Sequence, residues 1–437
     1  MSAGALPGFR DFYPESFAQR SWIFDRWRDA ARGFGFVEYD GPPLEPLELY
    51  TRKSGEEIVG QLYSFTDKGG REITLRPEMT PSVARMVAAR ANALRKPVRW
   101  FSIPQLFRYE RQQKGRLREH FQLNVDIFGE ADVSADAELL AVACSVMRAC
   151  GLGPNDVRAR VSDRRLLSAL LRALGVSDDA LPVVFTAVDK IDRDDRAALV
   201  KRMTDAGVAG TAAERVLDLV RTTDVGALRK DFAGNAEVQA ALERFAEYRE
   251  LLDAHGVLDY LQLDLTIVRG LAYYTGIVFE LFDARGEFRA ICGGGRYDNL
   301  LQALGGVDMP ALGFGMGDVV LGELLKARGK MPSGAPAVDF WVAPIDVAHR
   351  EAAVRAATQL RGAGASVESP LKDQALGKQM KAANAAGARE VVMVGQGFAD
   401  SGEVEVKSFT DGTQSVEQWG HLMDRVRARH KGASDRP

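Results

Sequence analysis

At 437 residues the chain is longer than one hydrophobic core usually supports, so its length predicts two or three domains. A composition of 46% hydrophobic and 27% charged residues, with a formal net charge of −3, argues against a protein that coats nucleic acid non-specifically or sits in a membrane. Three cysteines without CxxC spacing argue against a zinc site or a disulfide framework, so we expect a cytoplasmic protein.

Hydrophobic periodicity and turn residues predict alternating helices and hairpins over the first 300 residues. The proline-broken segment FVEYDGPPLEPLELY is typical of an edge or interface strand. The predicted elements, in chain order, are helix 16–32, extended segment 36–50, hairpin strands 61–66 and 71–76, a helix from 80 to 92, a hairpin over 105–127, helices 135–150 and 164–174, a helical module at about 176–258, and strands 263–268, 277–282 and 288–292.

The hairpin QLFRYERQQKGRLREHFQLNVD has two distinct faces. In its second strand, apolar residues alternate with Gln122, Asn124 and Asp126, which therefore share one face. The joining loop RQQKGRLR carries four basic residues and no acidic one, and guanidinium groups bind phosphate oxygens bidentately. Taken alone, such a segment is more often a charged tip that keeps a hairpin soluble. Later segments favour a phosphate site.

Two glycine-rich stretches follow the helical module. The glycines of CGGGRYDNL and GFGMG have no side chains, so a ligand can approach the backbone closely there. A lone glycine run is, however, as often a flexible turn. Upstream, IVRGLAYYTGIVFEL places an arginine and two tyrosines between strands, where each by itself could be a structural residue. Together these stretches predict a floor for a small amphiphile and a nucleotide.

The pattern changes after the glycine and proline linker GKMPSGAP. Helices and strands then alternate, which predicts a small α/β domain with a mostly parallel sheet, ending in a helix over 416–427. The expected domains are residues 1–328, interrupted by the helical insertion at about 176–258, a linker over 329–337, the α/β domain over 338–429 and a disordered tail over 430–437.

These motifs together resemble the histidyl-tRNA synthetases, which are class II aminoacyl-tRNA synthetases, and the likeness covers nearly the whole chain. FRYERQQKGRLREHFQ resembles motif 2 of the class, FGFVEYDGPPLE resembles motif 1 at the dimer interface, and LRPEMT resembles the amino-acid-binding loop. VRGLAYYTG and GGGRYDNL resemble two signatures specific to the histidine enzymes. The region after the linker, with LGKQMKAANAAGAREVVMVG, resembles their anticodon-binding domain.

The resemblance implies an α+β catalytic domain with an antiparallel sheet flanked by helices, a helical insertion and a C-terminal α/β anticodon-binding domain. It also implies a homodimer that activates histidine with ATP, helped by Mg²⁺, and transfers it to the terminal ribose of histidine tRNA. By motif position it implies Arg108 and Arg269 at the α-phosphate as catalytic groups, and Gln113 at the tRNA. The implied histidine-binding residues are Glu78, Thr80, Gln122, Asp126, Arg269, Tyr273, Tyr274 and Gly294. The implied ATP-binding residues are Arg108, Glu110, Arg116, His120, Phe121, Gly315 and Gly317.

Four positions depart from the family's usual pattern. Motif 3 usually carries an arginine near the outer phosphates of ATP, where this chain has Val320. Ala272 replaces a usual aspartate, Asp126 replaces a usual glutamate, and the usual Phe-His order of motif 2 is reversed in His120-Phe121.

A rival from another class is the histidine-sensing regulatory subunit of ATP phosphoribosyltransferase, which shares the synthetase fold without its catalysis. Such subunits typically lack the anticodon-binding domain and the arginine that Arg269 matches. Both features are present here, so the sequence favours the synthetase.

Overall fold

The computed structural model describes residues 4–51, 59–110, 115–268, 274–334 and 337–430. They form two compact units, one of Arg20–Pro332 with the residues up to Asp11, the other of Ser333–Pro437 with Phe12–Gln19. Within the described ranges, none of the helices combines the length and apolarity that a membrane span requires.

The elements predicted up to Pro332 occur in the predicted order, but the structure also has strands at Val98–Ser102 and Val157–Asp163 and helices at Leu300–Gly305 and Asp318–Ala327, which were not predicted. The strands are β1 (Val37–Glu38), β2 (Leu44–Pro46), β3 (Tyr63–Thr66), β4 (Glu72–Leu75), β5 (Val98–Ser102), β6 (Gln105–Phe107), β7 (Glu119–Phe128), β8 (Val157–Asp163), β9 (Leu261–Leu263), β10 (Ile277–Asp283), β11 (Cys292–Arg296) and β12 (Ala311–Gly317). The helices are α1 (Pro14–Gly33), α2 (Glu48–Thr51), α3 (Thr80–Ala88), α4 (Val133–Ala149), α5 (Arg164–Ala173), α6 (Leu181–Asp189), α7 (Arg196–Asp205), α8 (Gly210–Leu219), α9 (Val225–Asp231), α10 (Ala236–Ala254), α11 (Leu300–Gly305) and α12 (Asp318–Ala327).

One large sheet dominates the first unit. Among the described residues its strand order is β1-β5-β7-β12-β11-β10-β8-β9, with β6 paired to the end of β7. The pairs β1–β5 and β8–β9 are parallel and the others are antiparallel, so the predicted antiparallel sheet is confirmed for its centre and the sheet is mixed at its edges. A smaller sheet of order β2-β4-β3 lies in the same unit.

The two faces of β7 have different environments because its side chains alternate. Leu123, Val125 and Ile127 are buried in the main apolar cluster, which they share with residues of helix α4. Gln122 and Asn124 lie on the opposite face, which is free of that cluster. The predicted separation of a polar face from an apolar one is thus present in the folded strand.

The helical module is continuous with the core of the sheet. Helix α10 contributes Phe245 and Tyr248 to the same buried cluster as Leu123 on β7, and α6 contributes Val184. Among the described residues, the buried apolar side chains of helices α6 to α10 therefore belong to the same cluster as those of the large sheet.

The predicted strand 288–292 was placed too early. The glycine run itself forms β11, because its register pairs Gly294 with Phe314 on one side and with Phe279 on the other. A Cβ on Gly294 would lie 2.3 Å from the carbonyl oxygen of Gly313. Glycine is needed here so that two strands can approach, and the run is a strand and not a flexible turn. The strand predicted at 263–268 is also shorter and earlier, at Leu261–Leu263.

The second unit has a five-stranded sheet with flanking helices. Its elements are strands β13 (Phe340–Pro344), β14 (Val367–Glu368), β15 (Glu390–Val394), β16 (Glu403–Ser408) and β17 (Gln414–Gln418), and helices α13 (Arg350–Gly362), α14 (Leu376–Ala385), α15 (Gln396–Asp400) and α16 (Trp419–His430). The order is β14-β13-β15-β16-β17. The pairs of β13 are parallel, but β15–β16 and β16–β17 are antiparallel, so the prediction of a mostly parallel sheet was wrong for its last two strands.

The last helix begins later than predicted. Residues from Gln414 to Gln418 pair with β16 instead of starting a helix at 416. The run QSVEQ has one apolar residue, Val416, which is exposed. Its hydrophobic pattern therefore favoured neither the helical period of 3.6 residues nor the strand period of 2.

The packing of β11 predicts the effect of a single methyl group. We expect Gly294→Ala to lower the free energy of unfolding by about 1–3 kcal/mol, because the added Cβ collides with backbone on β12. Gly317→Ala is the matched control, since a Cβ there meets nothing within 4 Å. Urea unfolding followed by tryptophan fluorescence measures both variants, and equal midpoints would contradict the close approach.

Candidate active site

A cleft of about 390 Å³ opens on the polar face of β7 in the first unit. Its walls come from the segment before α3, from the β6–β7 hairpin, and from β11, β12 and the start of α12. The predicted site residues that line the cleft are Glu78, Thr80, Arg108, Glu110, Arg116, His120, Gln122, Tyr274, Gly315 and Gly317. The lining residues that sequence reasoning did not assign to the site include Asn124, Arg289 and Tyr297.

The floor of the cleft depends on glycines in β12. A Cβ on Gly315 would lie 2.7 Å from Cδ of Gln122, and one on Gly313 would lie 2.1 Å from Oδ1 of Asp126. The missing side chains therefore leave room for polar side chains of the neighbouring strand β7. Gly294, predicted to contact the amino acid, does not line the cleft.

Asp126 lies at the base of this floor and is fully buried. The Tyr297 hydroxyl donates a hydrogen bond to its Oδ1, whereas Oδ2 has no hydrogen-bond partner among the residues that the structure describes. Burial raises the pKa of the Asp126 carboxyl to about 7, and the hydrogen bond from Tyr297 opposes that shift. The ring of Tyr274 lies 6.4 Å from that of Tyr297, between centroids.

A buried arginine fixes the segment that carries Glu78 and Thr80. Arg76 donates through Nε to the carbonyl oxygen of Gln105 at 3.1 Å and through Nη1 to that of Gly41 at 2.7 Å. The Tyr50 hydroxyl donates to the carbonyl oxygen of Glu78 at 3.2 Å. The segment LRPEMT is therefore tied to β6, to Gly41 and to Tyr50 by partly buried hydrogen bonds, which limits how far its two site residues can move.

The basic end of the cleft lies at the β6–β7 hairpin. Arg108 donates from Nε to the carbonyl oxygen of Pro77 at 3.0 Å. The Glu110 carboxylate lies 2.9 Å from Nη1 of Arg116 and 4.0 Å from Nη1 of Arg108. Glu110 thus forms a close ion pair with Arg116 and lies at the outer limit of one with Arg108, so two guanidinium groups lie at one end of the cleft, where an anionic ligand would meet them.

Val320 reaches the same end. Its Cγ2 lies 3.5 Å from the position that a Cβ on Gly115 would take, next to Arg116. An apolar side chain therefore occupies the position at which the family pattern has a cation.

The two residues at the reversed His-Phe pair lie on opposite sides of β7. His120 lines the cleft, and its burial, together with the nearby charges of Arg108 and Arg10, lowers the pKa of its imidazole to about 3. The imidazole is therefore neutral at physiological pH. The ring of Phe121 packs edge to face on Phe24, at 5.2 Å between centroids, and does not line the cleft.

An ion-pair network behind the cleft ties β7 to α12. Arg10 donates from Nε to Glu119 at 2.6 Å and from Nη1 to Asp318 at 2.8 Å. Asp318 also accepts from the backbone N–H of Phe121 at 3.0 Å. Since Glu119 and Asp318 are buried, the network satisfies charges that would otherwise be costly to bury. Sequence reasoning missed it because the partners are far apart in the chain.

Four residues singled out from the sequence lie outside the described ranges: Gln113, Arg269, Ala272 and Tyr273. Of the site residues that sequence reasoning missed, Asn124 could have been identified from the period-2 alternation of β7. Tyr297 could have been identified from its place directly after the glycine strand. Arg289 had no sequence signal. Among the described residues, no group of three or more His, Cys, Asp or Glu side chains is placed to hold a metal ion.

Comparisons with known proteins agree with this arrangement. The family model for histidyl-tRNA synthetase matches residues 8–317, and the model for an anticodon binding domain matches residues 339–429. A histidine–tRNA ligase from Opitutus terrae is 46% identical over 417 residues, which are 94% of this chain and 95% of that one. The chloroplastic and mitochondrial histidine–tRNA ligase of Arabidopsis thaliana is 40% identical over 407 residues, covering 93% of this chain and 83% of its own length.

A solved structure shares the fold. The crystal structure of histidyl-tRNA synthetase from a Nostoc species superposes with a TM-score of 0.83, covering 98% of this chain and all of that chain at 22% identity. This likeness concerns the fold; the matches to the family models and to the curated relatives place the chain in the histidyl-tRNA synthetase family.

Proposed function

We propose that the cleft binds histidine and ATP together and that the chain is a histidine–tRNA ligase. The observation that carries the proposal is the common polar face of β7, whose Gln122 and Asn124 line one end of the cleft and which leads to Arg108 and Arg116 at the other. A carboxylate of histidine bound at the first end would lie toward the phosphates of ATP bound at the second.

The first step joins the two substrates. A carboxylate oxygen of histidine attacks the α-phosphorus of ATP, the bond to the bridging oxygen breaks, and pyrophosphate leaves. Charge builds up on the phosphate oxygens in the transition state, so positioned cations should contribute most to the rate. Arg108 and Arg269 are proposed at the α-phosphate, and Arg116 at the outer phosphates. Before ATP arrives, Arg116 pairs with Glu110, and Arg108 is held by its hydrogen bond to the carbonyl oxygen of Pro77.

With ATP bound, Glu110 would be the carboxylate placed to hold Mg²⁺, and the ion would supply positive charge that offsets part of the phosphate charge. Mg²⁺ commonly needs only one or two carboxylates besides the phosphates. Glu110 is a carboxylate on the cleft wall beside the proposed phosphate region, so the residues present fit a metal held mainly by the nucleotide.

Recognition of histidine is proposed at the buried end. Glu78, Thr80 and Tyr274 line the cleft, where the first two would hold the α-ammonium group and Tyr274 would meet the imidazole. Asp126 does not line the cleft itself but lies beneath its floor, against Gly313, and is proposed to meet the imidazole from there. A neutral imidazole has one donor and one acceptor nitrogen, and Oδ2 of Asp126 has no partner among the described residues. A site with such a buried polar atom rejects apolar amino acids of similar size, because they would leave it unpaired.

His120 is proposed to face the adenine of ATP. It is the member of the reversed pair that lines the cleft, whereas Phe121 packs on Phe24. A neutral imidazole can stack on a purine without adding a charge that would compete with the arginines. Phe121 would then act through packing behind β7.

In the second step, a hydroxyl of the terminal tRNA ribose attacks the activated carbonyl carbon and AMP leaves. The second unit is proposed to bind the anticodon, supported by the family model over 339–429. The same match disfavours the histidine-sensing regulatory subunit.

We also propose a homodimer whose interface includes the segment FGFVEYDGPPLE, because its apolar residues Val37 and Leu44 are exposed. The proposed location of the protein is the cytoplasm.

The proposed activation has a direct test. The purified chain should exchange labelled pyrophosphate into ATP with histidine and with no other amino acid in a panel that includes glutamine and phenylalanine. Exchange shows adenylate formation independently of tRNA. Histidine binding by calorimetry without exchange would overturn the ligase proposal and favour a sensing role.

The raised pKa of Asp126 predicts a pH dependence of stability. Its folded pKa of about 7 exceeds the value of 3.8 expected for the unfolded chain, so its contribution is complete below about pH 4 and is lost as pH rises to about 7. Asp126→Asn should not show this loss. The free energy of unfolding of the variant minus that of the parent should therefore increase from about pH 4 to about pH 7. Urea unfolding at several pH values measures it.

Asp411→Asn is the control for that series. Hydrogen bonds from Thr413 lower the pKa of the exposed Asp411 to about 2, so its contribution varies below pH 4 instead. A flat difference between Asp126→Asn and the parent from pH 4 to 7 would contradict a carboxyl that stays protonated in the folded state.

Removing the second unit separates the two proposed steps. A chain ending at Pro332 should keep histidine-dependent pyrophosphate exchange and lose most aminoacylation of histidine tRNA, because tRNA binding would lose its anticodon contacts. Filter assays of both activities on the same preparation measure this. Full tRNA charging by the shortened chain would contradict the anticodon role.

A further inference from the structure

The cleft is lined by an arginine that no motif pointed to. Arg289 lies in the loop 284–291 between β10 and β11, beside Ala290 and Ile291, which also line the cleft. The loop precedes the glycine strand β11, which is separated from β7 by β12 in the sheet, so Arg289 reaches the cleft from a different element than the β6–β7 hairpin.

The loop is anchored before Arg289. Arg328 is largely buried and donates to Asp283 at 2.5 Å and to Glu287 at 3.0 Å, so one guanidinium group joins the end of β10 to the loop. The backbone N–H of Glu287 also donates to Asp283 at 2.9 Å. These contacts fix the chain two residues upstream of Arg289.

The loop is also anchored after Arg289. Ile291 is buried in the main apolar cluster, and its N–H donates to the carbonyl oxygen of Leu281 at 2.8 Å. Its own carbonyl oxygen accepts from the N–H of Gly317 at 3.3 Å, directly before helix α12. Arg289 is therefore held close to the start of α12, where Val320 lies.

A second cavity, of about 420 Å³, shows which end of the cleft Arg289 occupies. It shares Gly115, Arg289 and Val320 with the cleft and contains none of the proposed histidine-binding residues. Gly115 directly precedes Arg116, so the shared wall is the proposed outer-phosphate end. Glu287 and Glu323 also line the second cavity, and they are the carboxylates that Arg289 could face there.

Arg289 adds a third guanidinium group to the two that line this end of the cleft. Arg108 and Arg116 both approach the Glu110 carboxylate, which offsets part of their positive charge. Val320, at the motif 3 position, supplies none. Of the described arginines that line the cleft, Arg289 is the one that also lines the second cavity, and Val320 lines both as well.

We propose that Arg289 binds the outer phosphates of ATP and replaces, from the β10–β11 loop, the cation that motif 3 lacks at Val320. This rests on the proposed activation of histidine with ATP. The guanidinium would contact the β- or γ-phosphate oxygens, hold the nucleotide for attack at the α-phosphorus, and stabilise the leaving pyrophosphate. Arg328 acts as a positioning residue for the loop.

The test compares two arginines of the same loop in the full-length chain. Arg289→Ala should lower kcat/KM for ATP in histidine-dependent pyrophosphate exchange by about 100-fold, as for loss of one charge-stabilising donor, and leave KM for histidine unchanged. Arg285→Ala is the matched control, because Arg285 is exposed and lines neither cavity. It should exchange at the parent rate.

A double variant tests whether an arginine at position 320 can replace Arg289. Adding Val320→Arg to Arg289→Ala should recover at least ten-fold of the lost kcat/KM for ATP, since it restores a cation at the same wall. Equal behaviour of Arg289→Ala and Arg285→Ala would overturn the proposal. So would an equal rise in KM for histidine and ATP, which would indicate a general disturbance of the cleft.

ATP affinity by calorimetry separates this inference from the proposed function. If the parent binds ATP but shows no exchange, the ligase proposal fails, and weaker ATP binding by Arg289→Ala than by Arg285→Ala still supports the phosphate contact. If the two variants bind ATP equally, the contact is overturned whatever the parent catalyses.

Discussion

The antiparallel pairing of β7 with β12 is the constraint on which the rest of the site depends. Side chains of Gln122 and Asp126 project from β7 over β12, and they fit because Gly313 and Gly315 carry no Cβ. A shift of one residue in this register would turn the polar face of β7 into the apolar cluster. The sheet therefore positions the cleft floor, and loops from other elements add the cations.

Buried charge at this site is compensated unevenly. Behind the cleft, Arg10 pairs with both Glu119 and Asp318, so those carboxylates are well satisfied. At the base of the cleft floor, Asp126 receives one hydrogen bond and keeps a raised pKa, and His120, which lines the cleft, stays neutral. Fixed pairs thus stabilise the scaffold, whereas incompletely paired groups remain where a ligand with matching donors and acceptors would bind.

Much of the architecture was predictable because it is encoded in local patterns. The class II fold and the synthetase family were confirmed, and the alternation in β7 correctly separated its two faces. Errors arose where local signals were weak or ambiguous. The glycine run was expected beside a strand but is the strand, and QSVEQ pairs as β17 instead of opening the last helix.

By itself the sequence determined the family, the elements and which side chains could serve the chemistry, because motifs and periodicity are properties of neighbouring residues. Tertiary structure decided which of them meet. It placed His120 on the cleft and Phe121 behind it, gave Asp126 its partner Tyr297, and brought Arg289 beside Val320. These contacts join residues distant in the chain, and their energies depend on burial and distance, which exist only once the sheet has formed.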